Sequence, residues 1–163
     1  MEQIEHYRPT IAKVNLQAIT HNIQQLKKHI QPGVQIIAVV KANAYGHGVI
    51  QVSKAALDAG ATILAVATAD EAVQLRQHFN DVEILVLGST PPNFAPYASK
   101  HNILLTVFSP QWLEQALQYS PFTKPLKLHI KVDSGMGRIG VVTKGELMEL
   151  YAAISSTEQC VLD

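Results

Sequence analysis

Apolar side chains recur at steps of three and four from Leu16 through Ile19, Ile23 and Leu26 to Ile30. That spacing predicts a helix with one buried face. Gln31-Pro32-Gly33 ends the pattern, and the β-branched run VQIIAVV predicts a strand buried on both faces. The same order then repeats. A helix over Gly48–Ala59 stops at Gly60, a strand covers Ile63–Ala67, and Thr68 with Glu71 stands at capping-box spacing to open the helix of AVQLRQHF. A strand over Glu83–Gly88 leads through two prolines to a short helix near Phe94–His101, and then to a strand over Ile103–Val107. Ser109 and Pro110 have the N-cap and first-position character of another helix start. The strand LKLHIKVD (Leu126–Asp133) enters the loop SGMGRIG, Thr143 and Glu146 repeat the capping box ahead of GELMELYAAI, and CVL begins a sixth strand of the series. TIAKVN (Thr10–Asn15) predicts an extra strand outside the series.

Strands alternating with helices predict a mainly parallel sheet covered by helices. Two architectures fit: an open doubly wound sheet, or part of a parallel (β/α)8 TIM-type barrel. A whole barrel takes about 250 residues. A chain of 163 residues would supply five to six βα units, and its halt at Asp163 in mid-strand reads as truncation. An open sheet of five or six strands would be complete at this length.

Composition narrows the function. Hydrophobic residues make up 47%, a globular proportion, and 13 basic residues balance 13 acidic ones. That balance offers no electrostatic case for a nucleic acid or an anionic membrane as partner. No stretch approaches ~18 consecutive apolar residues, and MEQIEHYRPT lacks the apolar core of a signal peptide. The expectation is a soluble, cytoplasmic protein. The single cysteine, Cys160, excludes a disulfide within the chain and reads as an inert buried residue. The seven histidines show no metal-ligand spacing, so no metal is expected.

Two loops carry candidate chemistry. Gly135–Gly140 matches G-x-G-x-x-G after a strand. In a dinucleotide site the last glycine already lies within the helix. Here the helix signal, Thr143 with Glu146, comes after it, which weighs against that reading. Arg138, held among glycines, could offer its fork to a carboxylate or a phenolate. Lys131 and Asp133 end the preceding strand on one face by alternation. Lys131 and Arg138 would be two cations near one site, needing an anion, for which Asp133 is the candidate.

The other loop is VVKANAYGHG (Val39–Gly48). Ligands of parallel α/β folds meet the carboxyl ends of the strands, where Lys41 stands. Lysine forms Schiff bases once burial lowers its pKa, while a strand-end lysine can also be merely solvated. Tyr45 offers a hydroxyl to an anionic group, Gly46 and Gly48 allow close backbone approach, and a helix starts there with its positive end. His47 reads as structural.

VVKANAYGHG resembles the pyridoxal-phosphate lysine signature of bacterial alanine racemases. KVDSGMGRIG resembles a second motif of that family, and RPTIAKVNLQAITHNI is similar to the family's opening. The resemblance implies a fold-type III enzyme: a (β/α)8 barrel holding pyridoxal 5'-phosphate, then a C-terminal β-rich domain that completes the site across a homodimer. It implies that residues 1–15 form a strand segment associating with that domain, that residues 16–163 form the partial barrel, and that the C-terminal domain is absent here. Position by position, Lys41 would be the Schiff-base lysine and one catalytic base, and Tyr45 would bond the cofactor phosphate. Arg138 would contact the cofactor's phenolic oxygen and orient the substrate carboxylate. Leu87 would line the cofactor pocket, and Lys131 matches a lysine that some members carry as a carbamate. The implied activity interconverts L- and D-alanine for peptidoglycan. The second base, a tyrosine of the partner subunit, matches none of Tyr7, Tyr45, Tyr97, Tyr119 or Tyr151, so this chain alone is expected to be inactive. Alternatives are a racemase for serine or lysine, a decarboxylase on the same barrel, or a non-catalytic pyridoxal-phosphate-binding barrel.

Overall fold

The computed structural model describes residues 9–163. Six strands alternate with helices: α1 (Leu16–His29), β1 (Ile37–Val39), α2 (Lys41–Tyr45), α3 (Val49–Asp58), β2 (Ile63–Val66), α4 (Ala69–Arg76), β3 (Glu83–Val86), α5 (Ala95–Lys100), β4 (Ile103–Val107), α6 (Pro110–Leu117), β5 (Leu126–Ile130), α7 (Lys144–Ser155) and β6 (Cys160–Leu162). The helix starts follow the sequence signals. Asn15 and Ser109 cap α1 and α6 through their side chains, and both expected capping boxes, Thr68–Glu71 and Thr143–Glu146, are formed. Each supplies acceptors to N–H groups that the first helical turn leaves unpaired.

Strand order separates the two architectures. The sheet runs β1-β2-β3-β4-β5-β6, every neighbouring pair parallel. A doubly wound sheet reverses its order at a switch point; this one never does. It is a six-stranded portion of a (β/α)8-type barrel.

The two faces of the sheet differ. Leu64, Val66, Ile84, Val86, Ile103, Leu105, Leu126 and Leu128 pack beneath the helices with Trp112, Leu113 and Leu150. Ile63, Ala65, Leu85 and Leu104 form a smaller cluster with Leu87 on the other, barrel-interior face. That face also carries charge: Lys127 bonds Glu83, lies 3.3 Å from Asp163, and has His129 nearby, 3.6 Å from the same aspartate. The bond to Glu83 is the main reason the Lys127 amine is held above its usual pKa, against the cost of burial and with help from Asp163.

Two expectations need correction. The strand predicted from VQIIAVV is not buried on both faces. β1 is three residues long and pairs on one side only, with Ile37 and Val39 exposed at 37% and 41%. An edge strand lacks the second neighbour that buries interior strands such as β2, whose four residues are all buried. Thr10–Asn15 forms no strand: nothing in the sheet pairs with it, and Ile11 is 70% exposed. The rest of the expected N-terminal segment, residues 1–8, lies outside the described residues. No helix among the described residues is long and apolar enough to cross a membrane.

Candidate active site

Lys41 follows β1 at its carboxyl end. Val40 before it donates its N–H to Ala65 O at 2.8 Å and is 1% exposed, so sheet and core both fix the chain just ahead of the lysine. The next segment is left-handed: φ is 51° at Ala42, 54° at Asn43, 52° at Ala44 and 54° at Tyr45. Asparagine tolerates this region, but an L-residue such as alanine or tyrosine gives up about 1–2 kcal/mol there. The surroundings hold the turn in place. Ala44 N–H donates to Val40 O at 2.9 Å and Gly46 N–H to Ala42 O at 3.0 Å. Asn43 Oδ1 accepts from Val49 N–H at 2.8 Å, and His47 Nδ1–H donates to Ala44 O at 2.9 Å, with Tyr45 O at 3.1 Å. His47 is therefore structural, as its position in the loop predicted. The Asn43 bond also changes one expectation: the first N–H of α3 is already capped rather than open to an anion.

The Lys41 side chain is partly exposed and forms no ion pair among the described residues. Tyr45 is 60% exposed at the same rim. Leu87, one residue past β3, packs against the interior apolar cluster. Lys131, one residue past β5, donates its amine to Val132 O at 2.7 Å. Lys41, Leu87 and Lys131 thus follow three strands at the same carboxyl rim.

Arg138 is placed by its loop. After Lys131 the chain leaves the sheet and returns at Val141, whose N–H donates to Lys131 O at 2.8 Å, while Asp133 N–H donates to Val141 O at 2.9 Å. Gly140 makes that closure possible: its φ is +133°, and a Cβ there would lie 2.5 Å from Asp133 N. The Asp133 carboxylate accepts from Gly135 N–H at 2.9 Å and Arg138 N–H at 3.1 Å. These amides, Gly135 first, hold its pKa below the usual carboxylate value. Asp133 therefore folds the loop rather than standing as a counter-ion between Lys131 and Arg138. The Arg138 side chain is left exposed. α7 begins only at Lys144, four residues past Gly140, so the glycines do not deliver a dinucleotide to a helix start.

One residue of the site escaped the sequence reading. Glu71, recognised there only as half of a capping box, also accepts the Ala42 N–H through Oε1 at 2.6 Å. The signal was its position after β2, at the same rim as Lys41. Cys160 behaves as expected: it is buried, and desolvation pushes its thiol up to about 11. A cavity of about 610 Å³ lined by Arg76, Asn80, Lys100, His101 and Lys124 opens at the amino ends of the strands, away from this rim.

The donor set fits pyridoxal phosphate. A rim amine, a phenol and a guanidinium match the aldehyde, the phosphate and the phenolic oxygen of that group in charge and hydrogen-bonding sense.

Known proteins bear on the same residues. The family model for the N-terminal domain of alanine racemase matches residues 14–163. Alanine racemase from Anoxybacillus flavithermus is 52% identical over 159 residues, covering 96% of this chain and 41% of that protein. The structure of alanine racemase from Bacillus anthracis with bound L-Ala-P superposes with a TM-score of 0.84 at 42% identity, over 91% of this chain and 38% of the other. Histidine racemase from Leuconostoc mesenteroides gives a TM-score of 0.81 at 31% identity, over 90% and 39%. This chain thus spans about two fifths of the length of the curated relatives it matches. With the consecutive parallel strand order, the lysine turn and the glycine loop in place, the chain belongs to the alanine racemase N-terminal domain family.

Proposed function

We propose that this chain is the cofactor-bearing barrel portion of a pyridoxal-phosphate-dependent racemase that interconverts L- and D-alanine. The observation that carries the reading is Lys41, with no ion-pair partner among the described residues, on a strained turn at the carboxyl rim of a parallel barrel sheet. When bound, pyridoxal phosphate withdraws electrons from the substrate and makes its Cα proton acidic. The Lys41 amine would hold the cofactor aldehyde, and as a free amine it would take or return that proton on one face of Cα. The Tyr45 hydroxyl donates to the phosphate. The Arg138 guanidinium donates to the phenolic oxygen and steers the substrate carboxylate. Leu87 packs at the pocket wall. Lys131, carried as a carbamate, would give Arg138 an anionic partner where the free amine only adds a second cation.

The second base would be a tyrosine of the partner subunit, in a homodimer whose C-terminal β domain also receives the segment ahead of Leu16. Such an enzyme would act in the cytoplasm and supply D-alanine for peptidoglycan. A second reading is favoured by one observation: a histidine racemase shares the fold, so the substrate could be another amino acid.

The test is to mix the chain with pyridoxal phosphate, reduce with borohydride and map the modified peptide. The expected product carries the cofactor on Lys41 and is absent in Lys41→Ala. Label spread over surface lysines would refute the assignment. Residues 1–163 joined to the remainder of the Anoxybacillus enzyme should then exchange the α-proton of alanine faster than that of serine, lysine or histidine. The reverse order would favour the second reading.

A further inference from the structure

We infer that Glu71 is a positioning residue for Lys41, fixing the peptide that follows the lysine through a bond from the neighbouring βα unit. This rests on the reading of Lys41 as the cofactor lysine.

In an ordinary capping box the carboxylate at the third helical position reaches back only to its own N-cap. Glu71 does that with one oxygen: Oε2 accepts from Ala67 N–H at 2.7 Å and Thr68 N–H at 3.3 Å. Its other oxygen is spare and crosses to Ala42 N–H at 2.6 Å, 29 residues away in sequence. That N–H belongs to the peptide joining Lys41 to Ala42. Holding it sets the orientation of the peptide plane and the ψ angle of Lys41.

The segment needs such an anchor. The β1–β2 ladder makes its last bond at Val40, and the left-handed turn gives Ala42 N–H no partner of its own. Packing buries Val40 and Ala44 on either side, but Ala42 itself is exposed and gains no hold from the core. A cavity of about 400 Å³, lined by Val40, Asn43, Val49, Glu71 and Leu75, separates the turn from α4. The carboxylate spans that gap. Because Oε2 is tied to the end of β2, the position of the lysine is referred to the sheet rather than to the mobile end of a long side chain.

The test compares Glu71→Ala, Glu71→Asp and Thr68→Ala in the full chain. Aspartate keeps the negative charge in the first turn of α4 but is one methylene too short to reach Ala42. Thr68→Ala weakens the same capping box and leaves the Ala42 bond intact. Two quantities are read: hydrogen exchange of the Ala42 amide without cofactor, and the rate of borohydride-trapped labelling at Lys41 with pyridoxal phosphate. Both Glu71 variants should speed Ala42 exchange and slow labelling by about tenfold or more, the scale of loss when a reacting group is misplaced. Thr68→Ala should change neither, even where its Tm falls as far. Labelling at the unsubstituted rate in Glu71→Asp, or equal slowing in Thr68→Ala, would overturn the inference. If the unsubstituted chain takes no label on Lys41, the cofactor reading fails. The exchange at Ala42 then judges the Glu71 tie by itself: unchanged exchange in Glu71→Asp overturns it, and faster exchange supports it.

Discussion

Val39–Gly48 and Lys131–Gly140 are both rim segments that leave a strand and place a cation, yet they are held in opposite ways. The first is anchored from outside: Glu71 reaches it from another βα unit, and its own left-handed backbone is strained. The second is anchored from within, around a carboxylate only two and five residues from the amides it collects. A group expected to bear a reacting atom is referred to the neighbouring strand. A group expected to bind an anion is left on a loop that organises itself and keeps its side chain in solvent.

That contrast can be broken deliberately. Gly140→Ala should have the largest effect, a loss of about 3 kcal/mol, because the new Cβ meets backbone that cannot step aside and φ is unfavourable for alanine. Urea unfolding measures it, and Ala42 amide exchange should stay unchanged. Glu71→Ala should cost about 2 kcal/mol through the lost capping box and the unpaired amides. Its changes should fall at Ala42, Ala67 and Thr68 in an exchange map and spare Gly135 and Arg138. His47→Ala should cost about 1 kcal/mol by releasing the carbonyls of Ala44 and Tyr45, seen as a small fall in Tm.

The smallest effect is one of pH. The folded pKa of Asp133 is depressed, so its contribution is complete above the unfolded carboxylate value of about 3.9 and is lost as pH falls through the lower folded value. The Gly135 and Arg138 amide shifts should titrate in that acid window, and Asp133→Asn should remove the transition. Titration of the Ala42 amide with the same midpoint would show that the two rim segments are not independent.

Much of this was legible because periodicity and caps are local. The alternation of strands and helices, both capping boxes and the serine and proline ahead of Trp112 were read from neighbouring residues and recur in the structure. Burial of β1 was not legible, since VQIIAVV reads the same whether one neighbour strand or two will cover it. The left-handed turn was hidden as well. Ala, Asn, Ala and Tyr are unremarkable in sequence, and only the flanking Gly46 and Gly48 hinted at positive φ. The second task of Glu71 depends on a contact that exists only once two βα units are side by side. Asp133 had an alternative use as a counter-ion that charge alone left open, and backbone amides settled it.

The strand order has a consequence for how the chain is made. Among the six described strands, β2 to β6 each pair with the strand synthesised just before, so none of these five pairings waits for a distant segment to leave the ribosome. Sequence separations between partners stay short for a parallel sheet, as in Glu83 beside Ile63 or Ile103 beside Ile84. Loop closure is then charged in small, similar instalments, and the sheet can lengthen during translation by adding one hairpin-sized βα unit at a time. Glu71 emerges after the lysine it anchors, so the lysine turn is locked only when the second unit docks.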